Sequence, residues 1–128
     1  MKTFAKWVLL LASLGFVGFG AAILVAPAEI LGSVGISGTA AGLVELRAFY
    51  GGLELGLGAF LLVAAFKPDW TEAGLWLVAA INGGIATARL FGIALSGEFT
   101  GFFAGALVWE IGFTAAALLH LRGLARAD

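Results

Sequence analysis

The sequence predicts an all-α fold, an antiparallel four-helix transmembrane bundle with a short interfacial segment between helices one and two. The chain of 128 residues is 62% hydrophobic and 12% charged, whereas soluble domains are about 45–50% apolar and about 25% charged. Four stretches reach the roughly 20 apolar residues that cross a hydrocarbon core, at about residues 5–26, 42–66, 71–95 and 99–121. They use most of the chain, so we expect one integral membrane domain over residues 1–128.

Composition excludes several classes of function. The chain has no cysteine, which excludes disulfides, thiolate metal sites and thiol catalysis. A single histidine, His120, leaves no histidine metal cluster, and we expect neither a metal nor a cofactor. The net charge of −1 gives no electrostatic basis for binding nucleic acid.

The first span is the most apolar and contains no charge from Trp7 to Ala28. It is longer than the 7–15-residue core of a secretory signal, so we expect a retained helix rather than a cleaved leader. The basic residues of the loops and chain ends all fall on one side of the predicted topology: Lys2, Lys6, Lys67, Arg122 and Arg126. The positive-inside rule then predicts a multi-pass protein of the bacterial inner (plasma) membrane with both termini in the cytoplasm.

The connections contain the expected helix breakers. Pro27 should end the first span, and the following "EILGSVGI" is too short to cross, so we expect a loose turn or short helix at the membrane interface. Pro68 should break the second span, and Thr71 is predicted to cap the third. Glu98, like His120, lies at the end of a span and is interpreted as solvated or interfacial.

The second span is predicted to have two different faces. At 100° per residue, Arg47, Tyr50 and Glu54 fall within roughly 60° of one another. The opposite side carries small residues four positions apart, which allow close helix packing in lipid. This predicted packing row consists of Ala48, Gly52 and Gly56. Whether it seals the monomer or a homo-oligomer is left open.

The third and fourth spans also carry polar residues. Asn82 and Arg89 share a face of the third span, and Glu110 lies near the middle of the fourth. A charge at mid-bilayer costs at least about 2.5–3.5 kcal/mol when it faces lipid, so we expect these side chains to face inward. Asn82 is expected to form a hydrogen bond between helices. The predicted ligand-binding set is Arg47, Tyr50, Glu54, Asn82, Arg89 and Glu110.

The stretch "ELRAFYGG", Glu45 to Gly52, resembles the signature of small bacterial four-helix membrane proteins that are known only as a domain of unknown function. Those proteins share an acid-x-Arg-x-x-Tyr-Gly-Gly opening of helix two. They also share a third helix that ends in Arg-Leu, as in "NGGIATARL", and a carboxylate that matches Glu110. The resemblance covers essentially the whole chain and implies a fold and a location, but no reaction or ligand. Glu54 is not part of that pattern.

Two other four-helix families match less well. "NGGIATARLFG" is similar to the Gly-Gly…Arg element of the small fluoride channels, but it falls in the third span rather than the first. Small multidrug exporters depend on a carboxylate in helix one, and the first span here is uncharged.

The leading functional hypothesis is a site that holds a lipid-like or other hydrophobic small molecule by its polar end. Arg47 and Arg89 would bind an anionic or carbonyl group and Tyr50 would donate a hydrogen bond, while Glu110, with Glu54, would balance charge or act as acid/base. An enzyme is not favoured, because no catalytic motif is present. The alternatives are a proton-coupled small transporter and a structural or accessory subunit with a membrane partner.

Overall fold

The computed structural model describes residues 2–124, and this part of the chain contains helices and connections but no strand. The helices, in chain order, are α1 (Lys2–Val25), α2 (Pro27–Gly32), α3 (Ala40–Leu46), a π-helical segment (Arg47–Gly52), α4 (Leu53–Phe66), α5 (Pro68–Ser96) and α6 (Gly101–Leu124). The π-helical segment joins α3 to α4 without a break. Four helical stretches are long and apolar enough to cross a membrane, which confirms the all-α prediction with four candidate spans.

Prolines set two of the helix boundaries. Pro27 and Pro68 both lie in the first turn of a helix, α2 and α5 respectively, where the missing N–H of proline has no helical partner to lose. The predicted cap at Thr71 is therefore wrong, because α5 begins three residues earlier. The Thr71 hydroxyl instead makes two long bonds of 3.4 Å to the carbonyls of Ala64 and Lys67.

The segment between the first two spans forms a short helix rather than a loose turn. In α2, Pro27 and Leu31 are buried, and the chain then turns at Gly35, whose φ of 81° lies in the left-handed region. The next helix, α3, starts with Thr39 as its N-cap, since the Thr39 hydroxyl accepts a hydrogen bond from the Gly42 N–H. The location of this inter-span segment at a membrane interface stays a prediction.

The described chain separates into two compact units, and the first is Leu10–Val63. Within it, α1 packs closely on the second span. The buried Ser13 hydroxyl donates to the Gly58 carbonyl at 2.7 Å, and a Cβ placed on Gly20 would lie 2.9 Å from the Gly51 oxygen. Contacts pair earlier residues of α1 with later residues of the second span, as expected for two helices that run in opposite directions.

The contact with α1 does not use the predicted packing row. The row formed by Ala48, Gly52 and Gly56 is exposed, and within the described part of the chain a Cβ on Gly56 would have no neighbouring atom within 4 Å. Gly51 and Gly58 make the close approach instead. Both sides of the helix carry small residues, and the regular four-residue spacing of the exposed row did not indicate the side on which α1 packs. A role for the exposed row in a homo-oligomer stays a prediction.

The second unit comprises the chain up to Leu9 and from Ala64 onward, and α5 and α6 form its centre. A short link, residues 97–100, joins these two helices. Gly83 faces Thr114, whose Cγ2 would lie 3.4 Å from an added Cβ. His120 is only 9% exposed and its ring stacks on Phe4 at 6.0 Å, which corrects the expectation of a solvated side chain, while a depth at the membrane interface stays a prediction.

Candidate functional site

Arg89 and Glu110 form an ion pair between α5 and α6. The Arg89 Nε lies 3.1 Å from each Glu110 carboxylate oxygen, and Nη2 lies 2.6 Å from Oε1. The side chains are 22% and 8% exposed, so the carboxylate is the more deeply buried partner. In the part of the chain that the structure describes, this is the only ion pair between side chains. Two parallel charge-assisted bonds fix the plane of the guanidinium as well as its position.

Aromatic rings also hold the guanidinium. The Cζ atom of Arg89 lies 5.8 Å from the ring centroids of both Phe102 and Phe103, within the range of a cation–π interaction. Both rings belong to the first turn of α6, while Glu110 follows about two turns later. The α5–α6 hairpin therefore fixes Arg89 from two directions.

A partly open cavity of about 270 Å³ lies beside this pair, towards the α5–α6 link. Its lining residues are Arg89, Gly92, Ile93, Ser96, Glu98 and Phe103. The guanidinium has five N–H donors, and Glu110 engages only those on Nε and one edge of Nη2. Nη1 of Arg89 has no hydrogen-bond acceptor among the described residues. A cation with spare donors thus lines this cavity, together with apolar residues and the polar side chains of Ser96 and Glu98.

Arg47 has a backbone partner that the sequence did not indicate. Its Nε donates to the backbone carbonyl of Leu24 at 3.1 Å, within the first unit. A backbone carbonyl at a helix end carries no signature in the side-chain pattern. In the same unit, Tyr50 is 41% exposed. Glu54 is half-buried, and its Cβ lies 3.1 Å from the point where a Cβ on Gly20 would stand.

Asn82 is buried in the second unit, with only 2% of its surface exposed. Its Nδ2 donates to the Val78 carbonyl at 3.0 Å, one turn earlier in the same helix. The expected bond between helices is therefore replaced by a bond within α5, a pattern in which a polar side chain returns to the carbonyl at i−4. Of the six residues predicted to bind a ligand, Arg89 and Glu110 are in direct contact. The grouping of all six into one site stays a prediction.

The π-helical segment, Arg47–Gly52, was not predicted. The N–H of Leu53 bonds to the Ala48 carbonyl, five residues back, whereas an α-helix bonds four residues back. π-helical turns are rare and occur frequently at functional sites. The segment contains most of the "ELRAFYGG" stretch, and its Gly51–Gly52 pair is the feature of the sequence that could have indicated an irregular turn.

The cavity includes residues that the sequence did not assign to a site, notably Ser96, Glu98 and Phe103. Gly97 lies between the first two, with a left-handed φ of 72°, and its N–H bonds to the Ile93 carbonyl at the end of α5. A glycine after an apolar helix is a recognised helix-end signal. It marks the turn that brings Glu98 back over the cavity.

Comparison with known families agrees with the resemblance found in the sequence. A family described as a domain of unknown function (DUF4345) matches residues 4–121. The comparison with curated proteins and the comparison with solved structures both give no match.

Proposed function

Because the chain belongs to the DUF4345 family, a domain of unknown function, its role has to come from its own geometry, and we propose that it binds an amphiphile in the membrane. The ligand's polar end accepts hydrogen bonds from Arg89, and its apolar part extends from the cavity towards the middle of the membrane. One observation carries this proposal. Glu110 holds one edge of the Arg89 guanidinium, and the Arg89 side chain also lines an open cavity.

The cavity's size and lining support a polar headgroup rather than a whole ligand. Pockets for drug-sized molecules are about 300–1,000 Å³, so about 270 Å³ accommodates a headgroup and the start of an apolar chain. The spare N–H groups of Arg89 need acceptors, since unsatisfied polar groups are costly away from water. A phosphate, carboxylate or carbonyl oxygen supplies them.

Glu110 serves in this proposal as the counter-ion and positioning residue of Arg89. Both of its carboxylate oxygens are engaged by the guanidinium, and its side chain is 8% exposed. A carboxylate held in this way suits a permanent counter-ion of Arg89 better than a group that exchanges protons. The arrangement therefore favours an amphiphile-binding protein over a proton-coupled transporter.

We also propose that the protein lies in the bacterial inner membrane with both termini in the cytoplasm, because the basic residues of the loops and termini fall on one side of the four spans. The cavity, beside the α5–α6 link, then opens to the outer leaflet. A membrane lipid is the most abundant amphiphile there.

Gly92 offers a direct test of the cavity. A Cβ on Gly92 meets no atom of another part of the described chain within 4 Å, so we expect the side chain of Gly92→Leu to extend into the cavity without disturbing the Arg89–Glu110 pair. Gly84→Leu is the matched control, since Gly84 lies in α5, has equally open surroundings and does not line the cavity.

The readout is native mass spectrometry of protein extracted gently from its membrane. We expect a co-purified amphiphile with the wild type and Gly84→Leu, and at least about a tenfold loss with Gly92→Leu, equivalent to about 1.4 kcal/mol. If the wild type carries no amphiphile, or if Gly92→Leu keeps it, the proposal fails. A substrate-linked proton flux in proteoliposomes, abolished by Glu110→Gln, would support the transporter instead.

A further inference from the structure

Two groups of opposite charge line the same cavity, the guanidinium of Arg89 and the carboxylate of Glu98. Glu110 already balances Arg89, so the three side chains together carry one net negative charge. A purely anionic headgroup would add to that excess negative charge and would be repelled by the Glu98 carboxylate. A purely cationic headgroup would be repelled by the Arg89 guanidinium. Only a group that carries both charges satisfies both ends of the cavity.

The backbone of Glu98 is fixed, while its side chain is exposed and its carboxylate has no ion-pair partner among the described residues. Its backbone N–H donates to the Ser96 hydroxyl oxygen at 3.1 Å. The preceding Gly97 is fixed by its left-handed turn and by a 2.8 Å bond from its N–H to the Ile93 carbonyl. The end of α5 therefore fixes the backbone from which this exposed side chain extends at the rim of the cavity.

We propose that the amphiphile bound here carries a zwitterionic headgroup, with a phosphate ester at Arg89 and a primary ammonium at Glu98. This inference rests on the proposed function. Arginine is well suited to phosphate because its spare N–H groups can donate two parallel bonds. The ammonium donates to the Glu98 carboxylate.

A primary ammonium fits better than a quaternary one. Quaternary ammonium groups are recognised by cages of several aromatic rings. Among the described residues Phe103 is the only aromatic one that lines this cavity, and its ring already lies against Arg89. A carboxylate with no N–H partner from a side chain instead suits a group with N–H donors of its own.

The order of the two charges along α5 also agrees with a phospholipid. Arg89 lies about 10 Å deeper along the helix axis than Ser96, from a rise of about 1.5 Å per residue. The ammonium site is thus nearest the helix end and the phosphate site lies below it. In a phospholipid that reaches the cavity from the membrane, the ammonium is likewise outermost and the acyl chains are deepest.

The test compares three lipids in vesicles with equal mole fractions of phosphatidylethanolamine, phosphatidylglycerol and phosphatidylcholine. Native mass spectrometry then measures which lipid the reconstituted protein retains. We expect the wild type to prefer phosphatidylethanolamine by about fivefold, the upper range of one exposed charge pair. Glu98→Gln should reduce this preference to below about twofold. Glu72→Gln, an exposed carboxylate of α5 outside the cavity, should keep it.

A soluble competitor, glycerophosphoethanolamine, distinguishes a lipid from a free small molecule. If it displaces the lipid at millimolar concentration, the zwitterionic headgroup alone is sufficient as ligand, and if it does not, the phospholipid is the ligand. Equal retention of all three lipids, with loss in Gly92→Leu, would overturn the zwitterion but leave the proposed function intact. Retention of none of them by the wild type would overturn both.

Discussion

Arg47, the first residue of the π-helical segment, donates a 3.1 Å hydrogen bond from Nε to the backbone carbonyl of Leu24 in the last turn of α1. The last four carbonyls of a helix have no N–H partner within it. The negative end of the helix dipole also favours a cation there. Arg47 therefore caps the C-terminus of α1 from the neighbouring span.

Arg47→Gln should lower the stability of the protein. Hydrogen bonds to a charged group contribute about 1.5–3 kcal/mol, and Arg47 is only half-buried, so we expect a loss of about 1–2 kcal/mol. Reversible unfolding in detergent, followed by circular dichroism, measures it. The matched control, Arg122→Gln, removes the same charge from an exposed position and should unfold like the wild type. An unchanged midpoint for Arg47→Gln would rule out the capping role.

The Arg89–Glu110 pair should show strong coupling in a double-mutant cycle. Either single change, Arg89→Gln or Glu110→Gln, leaves the partner's charge unpaired and partly buried, which costs about 3 kcal/mol in comparable buried pairs. The double variant should be more stable than the sum of the two losses predicts, by at least about 1 kcal/mol. Unfolding of all four proteins under one detergent condition gives this coupling. Additive losses would show that the pair contributes no coupling.

Substitution by alanine should affect stability differently at Gly56 and Gly58, two positions apart in α4. At Gly58 a Cβ would lie 2.6 Å from the Val17 Cγ2, 3.0 Å from the Val17 nitrogen and 3.1 Å from the Ser13 oxygen. Backbone atoms and a stiff β-branched side chain cannot give way cheaply, so Gly58→Ala should cost about 1–3 kcal/mol. At Gly56 the space is open, and alanine favours the helix, so Gly56→Ala should be neutral or stabilising. Thermal unfolding compares them, and equal effects would contradict the packing described for α1.

Much of the architecture could be predicted because membrane physics restricts it. A span needs a long apolar run, and all four predicted runs coincide with long helices whose ends differ by a few residues. The inward position of Glu110 also follows from the cost of facing lipid. The family match was equally predictable, since the resemblance extended along most of the chain.

The remaining features depend on tertiary contacts that leave no regular pattern. The partner of Arg47 is a backbone carbonyl, which every residue type provides. The side chain of Asn82 donates its hydrogen bond within its own helix. The position of Asn82 in the sequence does not distinguish this bond from one to a neighbouring helix. The choice between two glycine faces depends on where α1 approaches, and Gly51 and Gly58 were not recognised as a pair.

The π-helical segment makes the spacing of the second span as important as its side chains. Each residue turns an α-helix by about 100°, and the five-residue bond from Leu53 to Ala48 accommodates one more residue than an α-helical turn. If the same residues formed a continuous α-helix, α3 would be rotated against α4 by about that angle, and a guanidinium at the start of the segment and the glycines beyond it could no longer meet α1 together. The wide turn therefore absorbs one residue of the second span. A related chain that lacks one residue between Arg47 and Gly52 could form an uninterrupted α-helix here and still present both the cap and the glycines to its first helix.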